Sequence, residues 1–144
     1  MWGTSSGDMA ADPAFDREFR AEPKSIPTIR QAVVALARGS GASPERCADV
    51  AIAVSEAATN AVVHAYIEAG EPGTLRVTAA VISGELQVTI ADHGRGMLPR
   101  ADSPGLGLGM PLISELATSF EIADGDGNRG TVLRMSFALD GPIG

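Results

Sequence analysis

The chain changes its hydrophobic period once, near its midpoint. In "IPTIRQAVVALARG" (26–39), Ile29, Val33 and Leu36 share one helical face, and Gly39 is expected just past the helix end. The next helix opens with Ser43 as N-cap, Pro44 at the first position and Glu45 in the first turn. It is expected to run to about Tyr66–Glu68, just before "AGEPG", a length of about 36 Å. From Thr74 the period becomes two. Leu75, Val77, Ala79 and Val81 alternate with Arg76, Thr78 and Ala80, and Leu86, Val88 and Ile90 alternate with Gln87, Thr89 and Ala91. Ser83-Gly84 joins these runs as a tight hairpin. A glycine-rich loop follows, then a short helix at about Leu108–Thr118. A second hairpin is built from "SFEIAD", a turn at "GDGNRG", and "TVLRMSFAL", with Leu133, Met135, Phe137 and Leu139 in phase. "FDREFRA" (15–21) reads as a first strand. Helices followed by antiparallel hairpins predict an α+β fold, a two-layer sandwich.

Composition narrows the class. The chain has 144 residues, 44% of them hydrophobic and 20% charged, which suits one globular domain with a real core. Its net charge of −7 argues against a nucleic-acid surface, which needs clustered Lys and Arg. Acidity does not oppose binding a single nucleotide, because a pocket can supply backbone N–H groups and a metal. The single cysteine, Cys47, excludes an internal disulfide and sits on an apolar stripe as a core thiol. No stretch reaches the length of a membrane span, and the start lacks the basic head and apolar run of a signal peptide. A loose tail over 1–13, a single domain over 14–140 and a cytoplasmic location are expected.

Four short patterns carry candidate chemistry. The first is "VSEAATNAVVHAY" (54–66). Between Val50 and Ile67 it has one carboxylate, Glu56, and no Lys or Arg. Cys47, Val50, Ala51, Val54, Ala58, Ala61 and Ala65 form one stripe, while Glu56 and Asn60 lie opposite, about 40° apart. A solvated face normally carries several charges, so this one is expected to be covered by something polar. Spacing alone reads equally as an exposed Glu beside a helix-tolerant Asn. The second is "ADHGRGM": Asp92 is in phase with Leu86, Val88 and Ile90 and so points inward at a strand end, where Gly94 and Gly96 remove side chains. A turn-forming Asp is the plainer alternative. The third is "SPGLGLGMPLI", in which Gly105, Gly107 and Gly109 precede a helix. That arrangement suits phosphate oxygens at backbone N–H groups, or simply a flexible turn. The fourth is Thr131, inward-facing with Leu133 and Met135.

Other patterns fail on their chemistry. "DGDGNRG" lacks the Gly and Glu of a calcium loop, since Arg129 and Met135 stand there. His64 and His93 have no third ligand at a spacing useful for zinc.

Taken in order, E-x-x-x-N on a helix, D-x-G-x-G after a strand, G-x-G-x-G before a helix and G-T in a last strand make a rare combination. It resembles the histidine-kinase-like (GHKL) ATPase superfamily over about residues 15–139. Within it, "AVSEAATNAVVHAY" is similar to the stand-alone serine-protein kinases that serve as anti-sigma factors in bacteria. The resemblance implies a mixed, largely antiparallel sheet covered on one face by helices. It implies that Asn60 binds Mg²⁺ and that Glu56 is the general base. Asp92 would accept a hydrogen bond from the adenine amine, with Gly94 and Gly96 passing close to the base and Thr131 assisting. Gly105, Gly107 and Gly109 would meet the phosphates of ATP. As partners it implies a sigma factor and an anti-sigma factor antagonist phosphorylated on serine, and a homodimer, with the N-terminal strand and first helix involved in partner or dimer contacts. Only Met97–Pro104 separate the glycine boxes, with one basic residue, Arg100. The short lid keeps open a non-catalytic, ATP-gated regulatory protein of the same fold. A free-standing ATP hydrolase is a third reading.

Overall fold

The computed structural model describes residues 14–63, 73–92, 109–124 and 130–139. The glycine boxes at 94–107, the tail 1–13 and the expected end of the long helix lie outside these residues.

Strand β1 (Phe15–Arg20) leads into helix α1 (Ser25–Gly39) and helix α2 (Pro44–Val62). Strands β2 (Thr74–Ile82) and β3 (Glu85–Asp92) form a hairpin, and helix α3 (Gly109–Leu116) precedes β4 (Ser119–Asp124) and β5 (Thr131–Ala138). The sheet order is β1-β2-β3-β5-β4. All four described pairings are antiparallel, so the largely antiparallel sheet expected from the sequence is wholly so here.

Local chemistry sets the element ends. Ser43 accepts a hydrogen bond on its side-chain oxygen from the Arg46 N–H at 3.0 Å, with Pro44 in the first turn. The β2–β3 turn has positive φ at both Ser83 (52°) and Gly84 (78°), the backbone a two-residue hairpin with right-handed twist requires. Helix α1 ends two residues later than Gly39 suggested. Gly41, at φ 98°, is the left-handed residue; its N–H donates to Arg38 O, and the Ala42 N–H donates to Ala37 O.

Register explains the layers. Val77, Ile90 and Leu133 line up across β2, β3 and β5, as do Ala79, Val88 and Met135, and all six are buried. Helix α1 packs on α2 and β2, α2 also packs on α3 and β3, and α3 packs on β4. Each fully buried large side chain of this layer, such as Leu133 or Phe137, contributes about 1.5–3 kcal/mol. The opposite sheet face is polar, as an antiparallel sheet with one wet side allows.

On that wet face Arg76 donates to both oxygens of Asp16, at 2.9 and 2.7 Å. This hydrogen bonding lowers the Asp16 pKa and raises that of Arg76. A depressed carboxylate pKa gives stabilisation present above the unfolded-state value and lost as pH falls through the folded-state value. Arg76→Ala is therefore expected to move the Asp16 titration up to the ordinary Asp range, read by NMR. The stability difference between the two proteins should vanish in acid.

Candidate functional site

Four polar side chains are buried among the described residues: Ser25, Asn60, Asp92 and Thr131. Ser25 is accounted for locally, because its hydroxyl donates to Arg20 O at 2.8 Å. The other three are residues the sequence singled out, and of these Asp92 and Thr131 engage partners of their own.

Two of them are neighbours. Asp92, 2% exposed, ends β3, and its partner across the β3–β5 pairing is Thr131, fully buried at the start of β5. On its other side Asp92 faces Leu75. Side chains directly opposite in an antiparallel pair stand about 4.5–5.5 Å apart at Cβ. The inward row therefore turns polar at one end of the sheet, with a carboxylate and a hydroxyl side by side.

Helix α2 supplies the other group. Its buried positions include Ala53, Ala57, Ala58 and Ala61, small enough for α1, α3 and β3 to approach closely. Asn60 is 4% exposed, Glu56 is partly buried, and Ile52 is 45% exposed. On the face where the two were expected together, Asn60 is buried and Glu56 partly buried. The Asn60 Nδ2 atom is buried with no hydrogen-bond partner among the described residues. An orphaned amide of this kind costs about 1–3 kcal/mol.

That orphan fits a metal-assisted site. The two ends of an amide exchange by a half-turn about χ2, and a cation would select the oxygen. Mg²⁺ takes few protein ligands and keeps water and phosphate oxygens for the rest, so one neutral amide oxygen is a sufficient protein donor.

Gly94, Gly96, Gly105 and Gly107 lie outside the described residues, while Gly109 is the first residue of α3. One contact had no sequence motif: Arg30 of α1 donates from Nη1 to Ser55 Oγ at 3.3 Å, bringing a guanidinium to the residue preceding Glu56. No sequence pattern signalled it, because the contact joins two helices across 25 positions.

The described residues thus hold a buried carboxylate–hydroxyl pair at a strand end and, on α2, an acid and a buried amide one turn apart. The family model for the histidine kinase-like ATPase domain matches residues 19–137, and the chain belongs to that family. It is similar to the anti-sigma F factor of Caldanaerobacter subterraneus, 26% identical over 133 residues covering 85% of this chain and 91% of that protein. It is also similar to the anti-sigma F factor of Clostridium botulinum, 32% identical over 89 residues (60% of this chain, 62% of that protein). A third relative is the serine-protein kinase RsbW of Bacillus licheniformis, 37% identical over 87 residues (60% and 54%). The chain thus spans less than two thirds of the length of the latter two.

Among solved structures, the RsbU and RsbW domains of a Mycobacterium tuberculosis protein share the fold with a TM-score of 0.65 and 23% identity, over 88% of this chain and 33% of that one. One chain of the SiaB–SiaC complex from Pseudomonas aeruginosa shares the fold with a TM-score of 0.64 and 16% identity, over 94% of this chain and 100% of that one. No helix among the described residues is long and apolar enough to cross a membrane.

Proposed function

We propose that this chain is an ATP-binding anti-sigma factor with serine-protein kinase activity, carried by one domain over residues 14–140 and acting in the cytoplasm as a homodimer. It sequesters a sigma factor and phosphorylates a serine of an antagonist protein. One observation carries the reading. Of the four buried polar side chains among the described residues, Asn60, Asp92 and Thr131 are the three the ATPase motifs single out. The names of the relatives support the partner classes.

Roles follow from chemistry. Asp92, beside Thr131, accepts a hydrogen bond from the adenine amine, whereas the C6 carbonyl of guanine would face a carboxylate and be repelled. Gly94 and Gly96 are assigned to the base and Gly105, Gly107 and Gly109 to the phosphates, of which only Gly109 is among the described residues. Asn60 holds Mg²⁺, which neutralises phosphate charge when bound. Glu56 takes the proton from the serine hydroxyl as its oxygen attacks the γ-phosphorus; the bond to the bridging β–γ oxygen breaks, and ADP leaves with phosphoserine formed. The partly open position of Glu56, beside exposed Ile52 and Thr59, suits a hydroxyl delivered by another protein.

Calorimetry with ATP and GTP in the presence of Mg²⁺ tests the site. Wild type should prefer ATP, and Asp92→Asn should lower ATP affinity by at least about tenfold, the loss of one charge-assisted bond, while narrowing the preference over GTP. Unchanged selectivity would remove Asp92 from base recognition. Labelled ATP incubated with a captured partner tests the activity: phosphoserine on that partner is expected, and a non-catalytic gated protein would leave every partner unlabelled.

A further inference from the structure

The outer seam between α1 and α2 holds two adjoining hollows of different chemistry. The larger, about 440 Å³, is walled by Val34, Ala42, Pro44, Cys47, Ala48 and Ala51, with Arg38 at its side. The smaller, about 240 Å³, shares Val34, Arg38 and Ala51 and adds Arg30 and Gln31. The larger alone falls in the range of about 300–1,000 Å³ that small-molecule sites occupy. Its cause is local: Ala42, Ala48 and Ala51 present methyl groups where larger side chains would close the seam.

The charge here runs against that of the chain. Net charge is −7, yet among the described residues no carboxylate lines either hollow. Arg38 is exposed and has no ion-pair partner among the described residues. Arg30 donates to the neutral Ser55 at 3.3 Å. On α2, Asp49 is already paired with Arg46 at 3.2 Å. From Ala51 back to Pro44 the apolar wall extends about 10 Å along α2. A cationic end therefore adjoins an elongated apolar one.

We propose that these hollows form one binding site for a small amphiphile, a free aliphatic carboxylate of medium chain length. Its head group sits in the smaller hollow against Arg38, where Arg30 adds a second positive charge and Gln31 an amide donor. Its tail runs past Val34 and Ala51 over Ala48 toward Cys47 and Pro44. Two observations select this occupant. Cations that no described carboxylate neutralises, in a chain that is acidic as a whole, call for an anion. An apolar run ending at a buried thiol, itself a small hydrophobe, calls for hydrocarbon. A nucleotide fits poorly, because its ribose and phosphates would meet methyl groups and lose water without replacement bonds. Binding makes and breaks no covalent bond, and the inference stands independently of the nucleotide reading.

The probes are butanoate, hexanoate, octanoate and decanoate, with decyltrimethylammonium as the cation of matching tail, titrated into the full chain and followed by amide NMR. An acidic protein attracts the cation on general electrostatics, so preference for the carboxylate reports the site. Decanoate should perturb amides within residues 30–51. Each added methylene should raise affinity about two- to fourfold, the upper figure being that of full burial, until the chain outgrows the hollow. Ala51→Phe, which fills the junction of the two hollows, should weaken decanoate at least about tenfold. Arg38→Gln should weaken it about two- to fivefold, the weight of an exposed ion pair, and leave the dependence on chain length intact. Thermal melts of both variants confirm that they are folded, and their ATP affinity should be unchanged, which separates this site from the nucleotide site. No binding at millimolar decanoate, perturbations centred elsewhere, or an equal response to the cation would overturn the proposal. So would affinity indifferent to chain length, or wild-type affinity in both variants. Retention on vesicles of anionic phospholipid without any response to free decanoate would make this a membrane-facing surface instead, and would overturn it as well.

Discussion

Glu56→Gln is expected to bind Mg-ATP within about twofold of wild type, well under the 1.4 kcal/mol of a tenfold change, while losing about 10²–10⁴ in phosphoserine formation. Glutamine keeps the length and planarity of the side chain and can still hydrogen-bond a hydroxyl, but it cannot accept its proton. Glu56 is partly buried beside exposed Ile52 and Thr59, so the exchange strands no buried charge, and stability should stay within about 0.5 kcal/mol. Affinity and rate are therefore expected to separate. Calorimetry for ATP, alongside phosphoserine measurement on the antagonist, reads the two. Transfer at the wild-type rate would strike Glu56 from the chemistry, and a parallel collapse of ATP affinity would reassign it to nucleotide binding.

How much of this was legible in the chain depends on the range of the interaction involved. The Ser43 cap and the Ser83-Gly84 turn are decided by residues a few positions apart, and both formed as read. The inward phase of Asp92 and Thr131 follows from a period of two, which holds to the end of each strand. That these two residues stand opposite each other did not follow, because β5 inserts between β3 and β4, and insertion is a long-range choice. Gly39 and Gly41 offered two ends for α1, and the choice fell to the bonds from Gly41 to Arg38 and Ala42 to Ala37. The wheel set Asn60 beside Glu56, but it gives directions only: that the buried arc takes in Asn60 and leaves Glu56 half-buried depends on what packs against α2, with α1, α3 and β3 among its neighbours. Arg30 lay outside every motif, since its contact to Ser55 joins two helices across 25 positions.

The burial of Asn60 bears on the second large effect. Asn60→Leu replaces the amide with an apolar group of the same branching, so the orphaned Nδ2 disappears without opening a cavity. Removing such a group should stabilise the nucleotide-free protein by about 1–3 kcal/mol, helped slightly by the better helix propensity of Leu. The same substitution takes away the amide oxygen assigned to the cation, so Mg-ATP affinity is expected to fall by at least about tenfold, with much less change for ATP in chelator. Opposite signs are the diagnostic feature. A residue kept for packing would lose stability on replacement and leave the Mg²⁺ dependence alone, whereas a residue held at a structural cost for its ligand should do the reverse. Thermal melts without nucleotide and calorimetry with and without Mg²⁺ decide between them. A destabilised variant with unchanged metal dependence would mean that the buried amide serves the fold, and the metal would have to be sought outside α2.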